Sequence, residues 1–167
     1  MRGEHLSMTA EHFTPKYIAG KVHAVMGGID LDPCSHNYAN THLIRATRFF
    51  TLEEDGLKYP WVGKIYVNAP GDLTGKVPQR FWRKLAAEVA EGNTKEFCWM
   101  GFNLSHLRTL QNVSHTLLME SNVCVFKQRI RYTGNYPTKD NCMLYWGPNT
   151  ERFVEQFRPM GAIWIGK

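Results

Sequence analysis

No run of apolar residues in this chain is longer than a few positions, which excludes a membrane-spanning helix of about 20 such residues. Its first residues have no apolar core of the kind a secretory signal carries. Cysteine is scarce: Cys34, Cys98, Cys124 and Cys142 are scattered, with no Cys-x-x-Cys pair, so the spacing contains no disulfide framework or paired metal knuckle. A reducing interior compartment suits such usage. His36, His42, His106 and His115 have no metal-ligand spacing to any cysteine, and Cys34-x-His36 is at most half a zinc site, so no metal is expected. Repeats, low-complexity tracts and linkers are also missing.

What remains is a 167-residue chain long enough to bury a core without staples, so one domain is expected over 1–167, with 1–12 as a flexible N-terminal segment. The net charge of +5 is unevenly spread. Residues 1–75 carry seven Lys/Arg against eight Asp/Glu, while 76–139 carry ten against four. The basic middle suits a polyanion, or is simply a solvated surface, and the neutral-to-acidic first half suits a cationic ligand.

Short apolar strands alternate with helices along the chain. Thr14-Pro15 opens a helix with Ile18, Val22 and Val25 on one face, Thr14 as its cap and Gly27-Gly28 as its stop. Ile29–Pro33 reads as a strand, followed by a polar stretch with a short helix from about Asn40. Residues 64–68 form the next strand, and Pro78 opens a helix with a stripe of Phe81, Trp82, Leu85 and Val89. Glu96–Met100, Val123–Phe126, Cys142–Trp146 and Ala162–Ile165 are further strands. Helices are expected from Ser105 through Val113 and from Asn149 or Thr150 through Phe157. The alternation predicts an α/β fold, with a mostly parallel sheet covered by helices on both faces.

Four polar features fall in order along this framework: Phe13-Thr14-Pro15, then Asp30-Leu31-Asp32-Pro33-Cys34-Ser35, then Glu54-Asp55-Gly56-Leu57 with Trp61, then Lys64-Ile-Tyr-Val-Asn68-Ala69-Pro70-Gly71. Three of them lie at or near strand ends, where open α/β sheets bind ligands. Asp30 and Asp32 alternate about Leu31 and so point to opposite sides. Asp32 is preferred for a pocket, because Pro33 fixes the turn beside it, and Asp30 for local pairing. Taken singly, Asp32-Pro33 and Asp55-Gly56 are also ordinary turns.

The ordered set, with Arg129-Ile-Arg131-Tyr132-Thr-Gly134 downstream, resembles the phage-type, Dam-like DNA N6-adenine methyltransferases from about residue 13 to the C-terminus. The resemblance implies a Rossmann-like methyltransferase fold and S-adenosylmethionine held by Thr14, Pro15, Asp30, Asp32, Pro33, Asp55, Gly56 and Leu57. It also implies a base-receiving turn of Asn68, Ala69, Pro70 and Gly71. In that grip the Asn oxygen and a nearby carbonyl, here of Ala69, accept the amine hydrogens. The expected activity is transfer of a methyl group to adenine N6 in single- or double-stranded DNA, in the cytoplasm of a bacterium carrying the phage or prophage. Two alternatives stay open: methylation of another amine, or a degenerate methyltransferase fold that binds nucleic acid or a host protein in counter-defence.

This chain departs from the family pattern in three places. No glycine-rich loop follows Asp32, Ala69 stands for the first proline of an Asn-Pro-Pro-aromatic turn, and Gly71 stands for its aromatic. Trp82, Phe102 or Tyr132 could supply the missing ring. Lys127, Arg129 and Arg131 are read as one stripe of a strand. With Lys76, Arg80 and Lys139 they are the expected phosphate contacts, or else a charged edge kept from aggregating.

Overall fold

The computed structural model describes residues 12–71, 74–102, 104–132 and 140–167. Helix α1 (Lys16–Met26) starts after Pro15 and ends at Gly27, whose φ of +70° favours glycine. Thr14 does not cap it; the Thr14 hydroxyl is turned to the Tyr66 hydroxyl, 2.6 Å away. Strand β1 (Leu31–Asp32) is shorter than the run from Ile29 suggested. Helix α2 (Asn37–Ala39) winds into a wider turn over Asn40–Ile44, and β2 (Arg48–Phe49) is a strand the sequence did not reveal. Strand β3 (Gly63–Val67) leads to helix α3 (Lys76–Ala90), which starts two residues before Pro78. Strand β4 (Thr94–Gly101) is followed by α4 (Leu104–Gln111), α5 (His115–Glu120) and β5 (Asn122–Phe126). Strand β6 (Cys142–Trp146), α6 (Thr150–Phe157) and β7 (Gly161–Trp164) close the fold.

All seven strands form one sheet in the order β2-β1-β3-β4-β6-β5-β7. Strand β1 pairs in parallel with β2 and β3, and β3 with β4, whereas the β4–β6, β5–β6 and β5–β7 pairs are antiparallel. The α/β class holds, but the mostly parallel, Rossmann-like methyltransferase arrangement does not. That fold orders its strands 3-2-1-4-5-7-6, and here the C-terminal half of the sheet is antiparallel. One physical reason lies in the β5–β6 link. Parallel neighbours need a crossover, usually helical, and the described residues of this link contain no helix. The chain returns beside β5 in the opposite direction and places β6 between β4 and β5. Strand direction leaves no trace in composition, because β6 is apolar on both faces either way.

Helices do cover both faces, as the alternation predicts. Phe97 and Trp99 of β4 join Trp82 and Leu85 of α3, with Trp82 edge-on to both rings at 5.9 and 5.2 Å. Cys98 and Met100 point the other way, to Val22 of α1 and Phe153 of α6. Truncating a ring as enclosed as Trp82 costs about 3–5 kcal/mol. The carboxyl ends of β2, β1, β3 and β4 share one edge of this rigid frame. From β1 the chain leaves toward β2, and from β3 it leaves toward β4. The divergence opens a crevice between β1 and β3, the place where open α/β sheets hold ligands.

Candidate functional site

A cavity of about 620 Å³ occupies that crevice, within the roughly 300–1,000 Å³ common for small-molecule sites. The turns after β1 (Asp32 to His36) and β3 (Asn68 to Gly71) line it, together with His12 to Thr14, residues 51–53 and 55–58, Arg80 and Phe102. Gly56 explains how two of these segments meet. A Cβ at Gly56 would overlap the Pro33 carbonyl, so only glycine lets the Asp55 turn lie against the Asp32 turn. The Trp61 indole N–H donates to the Gly56 carbonyl at 2.9 Å and holds it there.

Asn68 sits just past β3, and its amide is oriented by its partners. Nδ2 donates to the His12 carbonyl at 2.9 Å and to Thr14 Oγ1 at 3.2 Å. A carbonyl only accepts, so the NH₂ end must face His12, which fixes the flip. That leaves Oδ1 buried with no partner. Among the described residues three buried side-chain polar atoms lack a partner: His12 Nδ1, Ser35 Oγ and Asn68 Oδ1. All three belong to residues lining this one cavity. Each unsatisfied buried group costs about 1–3 kcal/mol, so their clustering singles out this cavity as the candidate site.

Asp32 is 3 % exposed, and burial is the larger influence on it, raising its carboxyl from 3.8 to about 6 against the opposing Cys34 backbone N–H. That N–H donates to Oδ1 at 3.2 Å. Ser35 also lowers Asp32, although its hydroxyl has no partner at good hydrogen-bond geometry. Burial, then the Asp32 charge, pushes the Cys34 thiol well above its ordinary range, so Cys34 stays a thiol rather than a nucleophile. Asp55 has φ +55°, a left-handed geometry that Asp tolerates, and its Oδ1 accepts the Leu57 N–H at 3.3 Å. The plain turn reading of Asp55 is therefore true as well, and its turn faces the cavity.

The sequence-derived set is divided by the structure. Thr14, Asp32, Pro33, Asp55, Gly56, Leu57, Asn68, Ala69, Pro70 and Gly71 all line the cavity. Pro15 does not, being buried at the start of α1. Asp30 is exposed, and its Oδ2 accepts the Lys64 N–H at 2.8 Å, so it serves the β1–β3 junction instead of the site. For the missing aromatic, Phe102 fits: it lines the cavity and lies 3.8 Å from where a Gly71 Cβ would stand. Trp82 is sealed in the core, and the Tyr132 hydroxyl accepts from Asn141 at 2.7 Å outside the cavity lining.

Residues 127–132 do not form the strand expected of them, because the Ile130 N–H, 3.3 Å from Asn141 Oδ1, goes to a side chain rather than a neighbouring strand. Lys127, Arg129 and Arg131 are exposed, and Arg129 already pairs with Asp140 at 3.2 Å. Arg80 lines the cavity and Lys76 is exposed at the start of α3. Lys139 lies outside the described residues. Sequence reasoning missed His12, Ser35, Glu53 and Tyr66. Ser35 and Tyr66 lie inside the Asp30–Ser35 and Lys64–Gly71 segments but carried no role there, and His12 and Glu53 only flank the Phe13–Pro15 and Glu54–Leu57 segments.

No protein-family model and no curated protein matches the chain. Among the described residues no helix is long and apolar enough to cross a membrane, and no three His, Cys, Asp or Glu side chains gather as a metal site.

Proposed function

We propose that the cavity binds S-adenosylmethionine and that Asn68 presents the N6 amine of a DNA adenine to it for methylation. The sheet order lends this no support, so the proposal stands on the site alone. The observation that carries it is the Asn68 amide, clamped through Nδ2 so that a buried acceptor, Oδ1, is left without a partner beside a nucleoside-sized cavity.

The residues present fit the cofactor. Asp32 and Asp55 supply acceptors for ribose hydroxyls or an ammonium group, and the buried Asp32 carboxylate gains most from a cationic partner. When bound, S-adenosylmethionine supplies an activated methyl group. The protein then has mainly to hold the amine in line with it and exclude water. Asn68 Oδ1 accepts one amine hydrogen and turns the nitrogen lone pair inward. Gly71 leaves room for the base, and Phe102 offers a stacking face worth roughly 1–3 kcal/mol. The adenine must leave its stack to arrive there. Lys76 and Arg80 at the start of α3, and Lys127, Arg129 and Arg131 after β5, lie toward the same sheet edge and can take phosphates.

Calorimetric titration of S-adenosylmethionine and its demethylated product tests the cofactor half. Saturable binding that weakens in Asp55→Ala is expected. The absence of binding to a folded protein would reject it.

A further inference from the structure

We propose that His12 Nδ1 is the second acceptor of the substrate amine and takes the proton that the amine sheds on methylation. This rests on the methyl-transfer proposal above. Three observations carry it. His12 lines the cavity, and its Nδ1 is buried without a partner. Its carbonyl holds Asn68 Nδ2 at 2.9 Å, so the two unpartnered atoms belong to residues in direct contact. Its ring is braced by Tyr132, with centroids 5.3 Å apart and planes at 58°.

A primary amine carries two hydrogens, and Asn68 Oδ1 can accept one. For the other, in place of the Ala69 carbonyl that the resemblance implied, imidazole protonated at Nε2 presents a lone pair at Nδ1. The step balances as follows. The amine lone pair forms the N–C bond, the C–S bond breaks with its electron pair going to sulfur, and the nitrogen becomes cationic. His12 Nδ1 then accepts the proton, leaving a neutral methylated amine, and later passes it to water.

Burial holds the Tyr66 and Tyr132 hydroxyls well above their ordinary range, so neither serves as base. Asp32, Cys34, His36, Glu53, Asp55, Lys58 and Arg80 reach the same cavity from other segments, and burial raises the Asp32 carboxyl to about 6. Any pH profile must therefore be taken at saturating cofactor, where a carboxylate acting on cofactor binding drops out.

The first readout needs no cofactor. The ¹⁵N resonance of His12 Nδ1 is followed while 2′-deoxyadenosine, or the matching deoxynucleoside of unsubstituted purine, is added. Deoxyadenosine should shift it and the purine, lacking the amine, should not; equal shifts, or none, overturn the proposal. The second readout is single-turnover methylation of adenine-containing DNA. His12→Gln keeps the carbonyl that clamps Asn68 and should bind cofactor normally. It should lose about 100-fold in rate, the lower end of general-base effects, and with it the decline in rate as pH falls. Added imidazole should restore part of the rate to His12→Ala and none to Asn68→Ala. A His12→Gln protein with wild-type rate and profile overturns this inference alone. A wild-type protein that binds cofactor but never methylates overturns the methyl-transfer proposal beneath it.

Discussion

The two halves of the sheet treat buried polar groups in opposite ways. On the antiparallel side Glu96 Oε1 accepts from the Tyr145 hydroxyl at 2.6 Å and from Asn149 Nδ2 at 2.8 Å, while the Asn149 N–H donates to the Tyr145 hydroxyl at 2.7 Å. Asn141 Nδ2 reaches the Gly101 carbonyl and the Tyr132 hydroxyl, and Asn122 joins Thr150 to the Gly166 N–H. No buried side-chain nitrogen or oxygen described on that side lacks a partner. At the carboxyl ends of the parallel strands three do. Both halves bury polarity, but only one leaves it unfinished. The satisfied groups hold α6 and the 127–132 loop to the sheet, and the unsatisfied ones all border the one cavity proposed as the binding site.

The largest effect that would sharpen this contrast is at Asn68. Asn68→Ala should reduce tritiated methyl incorporation into adenine-rich DNA by about 10²–10³-fold, as losing one fixed hydrogen-bonding group in an active site does. Cofactor affinity and thermal midpoint should stay close to wild type. Glu96→Ala should do the reverse. It takes the acceptor from the buried Tyr145 hydroxyl and from the half-buried Asn149 amide, costing about 1–3 kcal/mol of unfolding free energy in urea, with ligand affinity unchanged in the remaining folded protein. A cavity defect from Glu96→Ala at low temperature would break the separation of the halves.

Asp32 comes next. Its carboxyl is raised from 3.8 to about 6, so the folded state holds the proton more tightly than the unfolded chain. Its stabilising contribution is full below 3.8 and is lost as pH rises through about 6. By pH 7 the penalty is on the order of 3 kcal/mol. Asp32→Asn should remove that penalty, flattening stability between pH 4 and 6 in denaturant titrations, yet weaken cofactor binding. Wild-type affinity for a cationic cofactor should rise across the same pH interval. Asp55→Ala should cost about 1–3 kcal/mol of cofactor affinity by calorimetry. Smallest is the DNA surface: Arg80→Ala and Arg131→Ala should each lower the salt slope of binding by about one. Arg129→Ala should lower it less, since Asp140 already neutralises that side chain.

Much of this was legible from residue patterns. Cys142–Trp146 and Thr150–Phe157 occur where an apolar run and an i,i+4 pair of Phe153 and Phe157 put them. Strand alternation put Asp30 and Asp32 on opposite sides and Pro33 beside Asp32 decided between them, while the order of the Thr14, Asp32, Asp55 and Asn68 segments was visible as spacing. Sheet order was not legible, because a strand covered on both faces reads the same in either direction. Helix α5 was missed because Ser114 makes no capping bond and only Leu117 is buried. The Gly56–Pro33 approach, which brings two motifs to one cavity, is a tertiary contact with no local signal. His12 became significant only once its carbonyl was seen to hold Asn68.

Mass spectrometry of nucleosides, after incubating the protein with DNA and isotopically labelled S-adenosylmethionine, tests the central claim most directly. N6-methyldeoxyadenosine carrying the label should form with wild type and be lost with Asn68→Ala. Label on another base, or equal yield from both proteins, would contradict the account.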